Sequence, residues 1–455
     1  MADSFDTIVI GGGPGGYVTA IRAAQLGMKT AVVEMAKLGG RCLNEACIPA
    51  KAMLRSADVL SEVRDGEEFG VTASSPSFDI TVAGKRRDKV IKTMTGGVGG
   101  LMKKNEIEVV DGHGTLTGGG GVSVEGRELE AKTIVLATGS VPLPIPGTTF
   151  GDRVIDTSGA WLMNEQPKSL AVAGAGASGT EIASAFGRFG TDVILLEMLD
   201  QVLPIEDAEI AKVVQRELKK QNVNVVTGTA VEDVKPSGKG VEFSYGGEKA
   251  TVDYLCIAAG RAPDTEGLGL EAAGVKTGER GLIEVDERMR TSADGIYAIG
   301  DLVHGPALAH KASDEGIIAV EDAAGNKIHP LSYEDIPGAT FCHPQVASFG
   351  LTEAQATERG HDVVIGRFPM GGVGAPTVYG DRIGMVKVVG DAKYGELLGA
   401  HIVGARATDL IVEMVLAKQL EAGFEEVART VHPHPTFSEA VMEANRAAGG
   451  WATHV

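Results

Sequence analysis

The stretch Asp6-Thr-Ile-Val-Ile-Gly-Gly-Gly-Pro-Gly-Gly16 decides the fold. Its first five residues read as a buried strand, and Gly11, Gly13 and Gly16 then follow at once in GxGxxG spacing. An Ala-rich segment from Tyr17 to Leu26, closed by Gly27, predicts a helix, and Thr30-Ala-Val-Val-Glu34 predicts a second strand ending in an acid. Together these make a βαβ unit. Glycines at those positions let the backbone approach a pyrophosphate, the helix N-terminus offers free N–H groups and the positive end of its dipole, and Glu34 can accept from ribose hydroxyls.

The pattern recurs downstream. Leu170-Ala-Val-Ala173 leads into Gly174-Ala-Gly-Ala-Ser-Gly179, with Gly174, Gly176 and Gly179 in the same spacing. A helix is expected through Phe186, then a strand over Asp192-Val-Ile-Leu-Leu-Glu197. From first glycine to terminal glutamate the separation is 23 positions in both units. One such loop could be a mere turn; two complete units at equal spacing predict two dinucleotide sites. Because Glu197 ends the second unit and no Arg follows in Met198-Leu-Asp-Gln201, a 2′-phosphate would meet repulsion there, which favours NAD over NADP. Two further apolar strands ending in Gly close the units, Thr133 to Gly139 and Tyr254 to Gly260, and Pro142, Pro144, Pro146 and Gly147 mark a linker near residue 150.

At 455 residues the chain should divide into three or four compact parts, at roughly 150 residues each. The net charge of −19 argues against nucleic acid or an anionic membrane as partner. No basic leader precedes the first strand and no long apolar run occurs, so the expected location is cytoplasmic. Four cysteines are too few for a disulfide scaffold, so any disulfide is expected to be chemical rather than architectural.

Two of the four lie directly after the first unit, in Gly39-Gly-Arg-Cys-Leu-Asn-Glu-Ala-Cys-Ile-Pro-Ala-Lys51. A regular helix would point Cys42 and Cys47 in different directions, so a disulfide between them needs irregular backbone. Pro49 suits a first helical turn, which sets Cys47 at a helix N-terminus where the dipole favours thiolate. The alternatives are zinc ligation, for which two more ligands at suitable spacing are missing, and plain core packing. No metal site is expected. Cys256, in an apolar strand, and Cys342, beside Phe341, read as structural.

With the fingerprint, the CLNxxCIP segment and the tail His432-Pro-His-Pro-Thr-Phe-Ser-Glu439, the chain resembles the flavoprotein disulfide reductases, most closely the dihydrolipoamide dehydrogenase family, over nearly its whole length. The resemblance implies an α/β fold with two Rossmann-like dinucleotide-binding domains plus a C-terminal α+β dimerisation domain. The implied segments are an FAD domain over 1–148, an NAD domain over 149–270, a central domain over 271–335 that completes the FAD site, and an interface domain over 336–455. Tyr297-Ala-Ile-Gly300-Asp301 looks like the family's second flavin motif, while Ala137-Thr138-Gly139-Ser140 and Gly260-Arg261 resemble its other dinucleotide signatures. The likeness further implies a redox disulfide between Cys42 and Cys47, FAD and NAD as cofactors, and Lys51 paired with Glu181 beside the flavin ring.

In the tail the likeness makes His434 and Glu439 a catalytic dyad; physically, a carboxylate that holds an imidazole in one tautomer is what a thiol-deprotonating base requires. His113, His361 and His401 read as structural. Since the family's base reaches the thiols from the other subunit, an obligate homodimer is implied. The implied partner is dihydrolipoamide or the lipoyl domain of an E2 or H protein. The chain departs from the family at Ala46 for Gly, Ala50 for Ser, Pro433 for Ala and in its ending from Gly449 on. Two other readings stay open: a related flavin disulfide reductase acting on another disulfide, and a non-catalytic FAD-binding scaffold.

Overall fold

A computed structural model describes residues 2–454. By contacts the chain forms two compact units. The first gathers the residues up to Ala52, Thr81–Leu143 and Gly260–Tyr333; the second gathers Met53–Ile80, Pro144–Ala259 and the chain from Glu334 onward.

In the first unit, strand Asp3–Ile10 lies between Thr30–Glu34 and Arg127–Leu136, parallel to both, with Ile8 opposite Ala31 and Ile134. Glu108–Asp111 extends one side, and Ile296–Ala298 pairs parallel with the far end of Arg127–Leu136. Ile8, Val9, Val32, Ile134, Val135 and Leu136 are all buried, which explains why these strands read as continuous apolar runs: the sheet is covered on both faces. Each such side chain contributes about 1.5–3 kcal/mol on burial. The helix after the glycine loop runs Pro14–Gln25 rather than from Tyr17. Gly13 is still extended, and Pro14 begins the helix because its fixed φ suits the first turn and its missing N–H costs nothing there.

The second unit repeats the arrangement, with parallel strands in the order Val223–Val226, Asp192–Leu196, Ser169–Ala173, Tyr254–Ile257, Val154–Asp156. Its loop helix, Ala177–Phe189, runs one turn beyond Phe186 and stops where Gly190 takes a φ of 99°. The last part of the chain forms a five-stranded antiparallel sheet, ordered Gly338–Thr340, Val346–Gly350, Leu397–Gly404, Gly384–Asp391, Val363–Pro369. Helices Ala407–Gln419 and Glu439–Ala448 pack on it through Ile411, Met414, Val441 and Ala444. Buried Lys387 on this sheet joins Asp207 at 2.8 Å, Glu209 at 2.7 Å and Glu353 at 2.8 Å. Among the described residues no helix is long and apolar enough to cross a membrane.

Candidate active site

The two glycine loops have one geometry. Gly11 and Gly174 hold φ near 105°, and a Cβ on either would overlap the carbonyl of Ala137 or Ala258. A Cβ on Gly16 would overlap the Gly11 carbonyl, and one on Gly179 the Gly174 carbonyl, so only glycine lets each helix start this close to its strand. Neither helix N-terminus has a side-chain cap. The acids at the strand ends brace the loops: Glu34 accepts from the amides of Gly12 (2.7 Å) and Ala36 (2.8 Å), and Glu197 from those of Ala175 (2.7 Å) and Leu199 (3.0 Å). Uncapped N–H groups, a glycine-only cradle and an acid at the strand end fit a dinucleotide at each loop, its pyrophosphate on the helix terminus and its ribose at the carboxylate.

Signatures far apart in sequence meet in the first unit. Ser140 donates its hydroxyl to Asp301, and Arg261 bonds both the Ser140 hydroxyl and its carbonyl. Thr138 donates to the Asp264 carbonyl at 2.6 Å, and Gly139 accepts from the Asp264 amide at 2.9 Å. Gly260, with φ 138°, leads into the short strand Arg261–Pro263 opposite Ser140–Pro142. Gly300, at φ 71°, turns the chain into Asp301. Its two backbone groups are pinned by a pair that sequence reasoning missed. The Gly300 amide donates to Glu315 at 2.7 Å and Lys311 donates to the Gly300 carbonyl at 2.9 Å, with both side chains fully buried. The available signal was a Lys and a Glu one turn apart on a helix face shared with Ile318 and Ala319.

A cavity in this unit is lined by Gly11, Glu34, Gly112, His113, Thr138 and Asp264, among others. His113, read from sequence as structural, thus borders the nucleotide loop. By contrast His401 is buried, one ring nitrogen 3.0 Å from the Leu351 carbonyl, and burial pushes its pKa down; His361 pairs with Asp391.

Cys42 and Cys47 form a disulfide with Cα atoms 4.7 Å apart. The required irregularity is present: one helix, Gly40–Asn44, ends before Glu45, and the next, Cys47–Arg64, starts on Cys47 with Pro49 in its first turn. The two residues that lead into the Cys42 helix also pack against the nucleotide loop. The Gly39 amide donates to the Gly12 carbonyl at 2.8 Å, and a Cβ on Gly40 would press into the Gly13 backbone. Lys51 lies one turn beyond Cys47 on the same helix. Cys256 and Cys342 are free, buried thiols whose pKa values burial pushes far up, so neither is a nucleophile at neutral pH.

In the second unit, buried Glu181 accepts from the Phe341 amide at 2.9 Å. His434 and Glu439 are brought together, Nδ1 to Oε1 at 2.8 Å, and the other carboxylate oxygen takes the Thr436 amide at 2.8 Å. Although burial pushes Glu439 up, the Thr436 amide and His434 hold it below the usual carboxylate range. An ionised carboxylate at Nδ1 keeps the proton there and leaves the Nε2 lone pair free on a side chain that is 76% exposed.

Comparison with known proteins agrees with this geometry. A family profile described as pyridine nucleotide-disulphide oxidoreductase matches residues 5–316, and one described as the dimerisation domain of the same family matches 336–445. The chain is 43% identical to dihydrolipoyl dehydrogenase of Thermus scotoductus, covering 99% of both chains, and 43% identical to that of Zymomonas mobilis, covering all of both. Among solved structures it is similar to LpdA of Mycobacterium tuberculosis (TM-score 0.90, 26% identity, 97% of this chain and 99% of that one). It is also similar to the HOCl-induced flavoprotein disulfide reductase RclA of Escherichia coli (TM-score 0.86, 28% identity, 98% and 99%). Two braced glycine loops, a disulfide on the segment that packs against the first of them, and family matches that together span most of the sequence make this chain a member of the pyridine nucleotide-disulphide oxidoreductase family.

Proposed function

We propose that the chain oxidises dihydrolipoamide to lipoamide through the Cys42–Cys47 disulfide and passes the electrons by way of FAD to NAD. The observation that carries this reading is the disulfide at a helix N-terminus, packed through Gly39 and Gly40 on the first dinucleotide loop. Full-length likeness to dihydrolipoyl dehydrogenases chooses the substrate among the possible disulfides and stands against a non-catalytic scaffold.

In this reading the Gly11–Gly13–Gly16 loop, Glu34, Thr138, Gly139, Gly300 and Asp301 hold FAD, with Lys51 and Glu181 paired near its ring. Gly174, Gly176, Gly179, Glu197 and Gly260 serve NAD. The four segments 1–148, 149–270, 271–335 and 336–455 then divide the labour as FAD, NAD, central and interface parts. His434 takes the proton of the first substrate thiol at Nε2, and Glu439 supports the imidazolium. The substrate thiolate attacks the Cys42 sulfur, the Cys42–Cys47 bond breaks, and Cys47 leaves as a thiolate at a helix N-terminus that favours the anion. The second substrate sulfur then attacks the first, breaking the mixed disulfide and closing the lipoamide ring, and its proton passes to the Cys42 thiolate that leaves. Held by these residues, FAD would supply an electron relay between the dithiol and the second loop, and NAD a hydride acceptor.

The base comes from a second subunit in this reading. The dimerisation domain supports a homodimer, as does the exposed apolar row formed by Val412 and Leu416 on helix Ala407–Gln419 and by Leu420 at its end. A lipoyl domain of an E2 or H protein would present the dithiol. Free thiols at Cys256 and Cys342 support a cytoplasmic setting. Anaerobic titration of the purified protein with dihydrolipoamide, followed by NAD, tests the proposal. A long-wavelength thiolate-to-flavin band that reverts as NADH forms is expected. A flavin spectrum unmoved by dihydrolipoamide but reduced by NADH would reject the lipoamide assignment.

A further inference from the structure

We infer that His432 is a positioning residue for the base: clamped between Glu413 and the Thr430 carbonyl, it pins the loop that carries His434 to helix Ala407–Gln419. Resting on the reading of His434 as the thiol-deprotonating base, the inference starts from two short bonds. His432 Nε2 lies 2.6 Å from Glu413 Oε1 and Nδ1 lies 2.8 Å from the Thr430 oxygen, with only 4% of the side chain exposed. Both neighbours can only accept. A neutral imidazole has one N–H and would leave one of these contacts as two facing lone pairs, so the ring that fits is the imidazolium. The Glu413 carboxylate raises its pKa above the ordinary histidine range with help from the Thr430 carbonyl, while burial and Arg446, on helix Glu439–Ala448, oppose.

The clamp matters because the base lies next to it in the chain. His434 is two residues on and, within its own chain, is largely exposed, with Glu439 the side chain bonded to its ring. Pro433 and Pro435 flank it with fixed φ, and a short stiff segment of this kind transmits displacement at 432 to 434 instead of absorbing it. Glu413 neighbours Val412 on the helix whose apolar row is offered to the second subunit. One ion pair therefore ties the base to the element that carries it across the dimer.

The raised pKa also sets the sign of the pH dependence. A histidine whose folded pKa is raised keeps its clamp below the ordinary value and loses it as pH rises through the raised one. Deprotonation of His432 thus loosens the base loop on the alkaline side.

The experiment compares His432→Gln, Glu413→Gln, the double variant and His434→Gln as FAD-loaded dimers. Dihydrolipoamide oxidation is followed as separate kcat and KM from about pH 6 to about pH 10, with NADH-driven ferricyanide reduction as a reaction that needs no dithiol base. Either single clamp variant is expected to lose about tenfold in kcat with little change in KM, as misplacing a catalytic group does. The double variant should be no worse than the poorer single, and ferricyanide reduction should hold. In Glu413→Gln the alkaline fall of kcat should begin at lower pH, because the imidazolium has lost its carboxylate; a purely structural role would leave that limb in place. Unchanged kcat and pH profile in both single variants, with His434→Gln inactive, would overturn the clamp alone. If His434→Gln also keeps full turnover, the base assignment falls first. Should His432→Gln fail to assemble, Glu413→Gln decides by the same limb.

Discussion

The loops at Gly11–Glu34 and Gly174–Glu197 match to single hydrogen bonds, each acid taking one amide inside the loop and one just beyond its strand, yet they meet different neighbours. The first packs against Gly39 and Gly40 and so against the helix pair that holds the disulfide. On its other side Gly15 lies close to Ala312 and Ile299, which a Cβ there would meet at 3.0–3.1 Å. The corresponding residue in the second loop is Ser178, its helix is buried almost throughout, and both sulfurs lie in the first unit. A shared template for dinucleotides is thus made into two different sites by what packs on it. The redox chemistry belongs to the first loop's surroundings rather than to the loop.

That contrast can be broken most severely at the sulfurs. Cys47→Ser should lower dihydrolipoamide turnover by about a thousandfold or more, as removal of one member of a reacting unit does, while NADH-driven ferricyanide reduction persists; stopped-flow and steady-state rates on one preparation check both. The glycines sharpen the comparison next. Gly16→Ala forces a Cβ into the Gly11 carbonyl and should yield protein depleted of flavin, whereas Gly179→Ala should keep its flavin and raise the KM for NADH by about tenfold or more. Flavin absorbance against protein concentration, and NADH kinetics, separate the two. A smaller effect is expected at the second acid. Glu197→Gln removes the charge that opposes a 2′-phosphate and should narrow the preference for NAD over NADP by about tenfold, read as the ratio of kcat/KM values.

The weakest expected effect concerns stability in the second unit. Arg367, then Lys387, holds the Glu209 carboxyl down to about 2. A carboxyl depressed on folding stabilises above its ordinary pKa, and that contribution fades as pH falls toward about 2. Arg367→Gln should therefore cost below about 1 kcal/mol at neutral pH, since the pair is largely exposed, and the difference from the parent should shrink in acid. Thermal melts near neutrality and in acid measure it.

Legibility followed physics region by region. Both glycine loops could be read because backbone proximity to a pyrophosphate demands glycine at fixed spacing, and strand Thr30–Glu34 falls where the apolar run places it. The irregular backbone between Cys42 and Cys47 was legible from helical rotation, and Pro49 marked the helix start. The antiparallel sheet near the C-terminus was opaque. Strand Leu397–Gly404 is buried at every position, so the alternation that identifies a half-buried strand is missing. The place of His113 was opaque for a related reason: one histidine between two glycines has no local pattern, and only the fold sets it beside Gly11 and Glu34.

By itself the sequence determined two dinucleotide loops, a cysteine pair directly after the first, and a His–Glu pair five residues apart, because each depends on local spacing. Tertiary structure alone decided that Ser140, Arg261 and Asp301 form one cluster, that Lys311 and Glu315 fix Gly300, and that Glu413 clamps His432. These contacts join parts of the chain that no local pattern relates, and their strength comes from the burial that only the folded chain supplies.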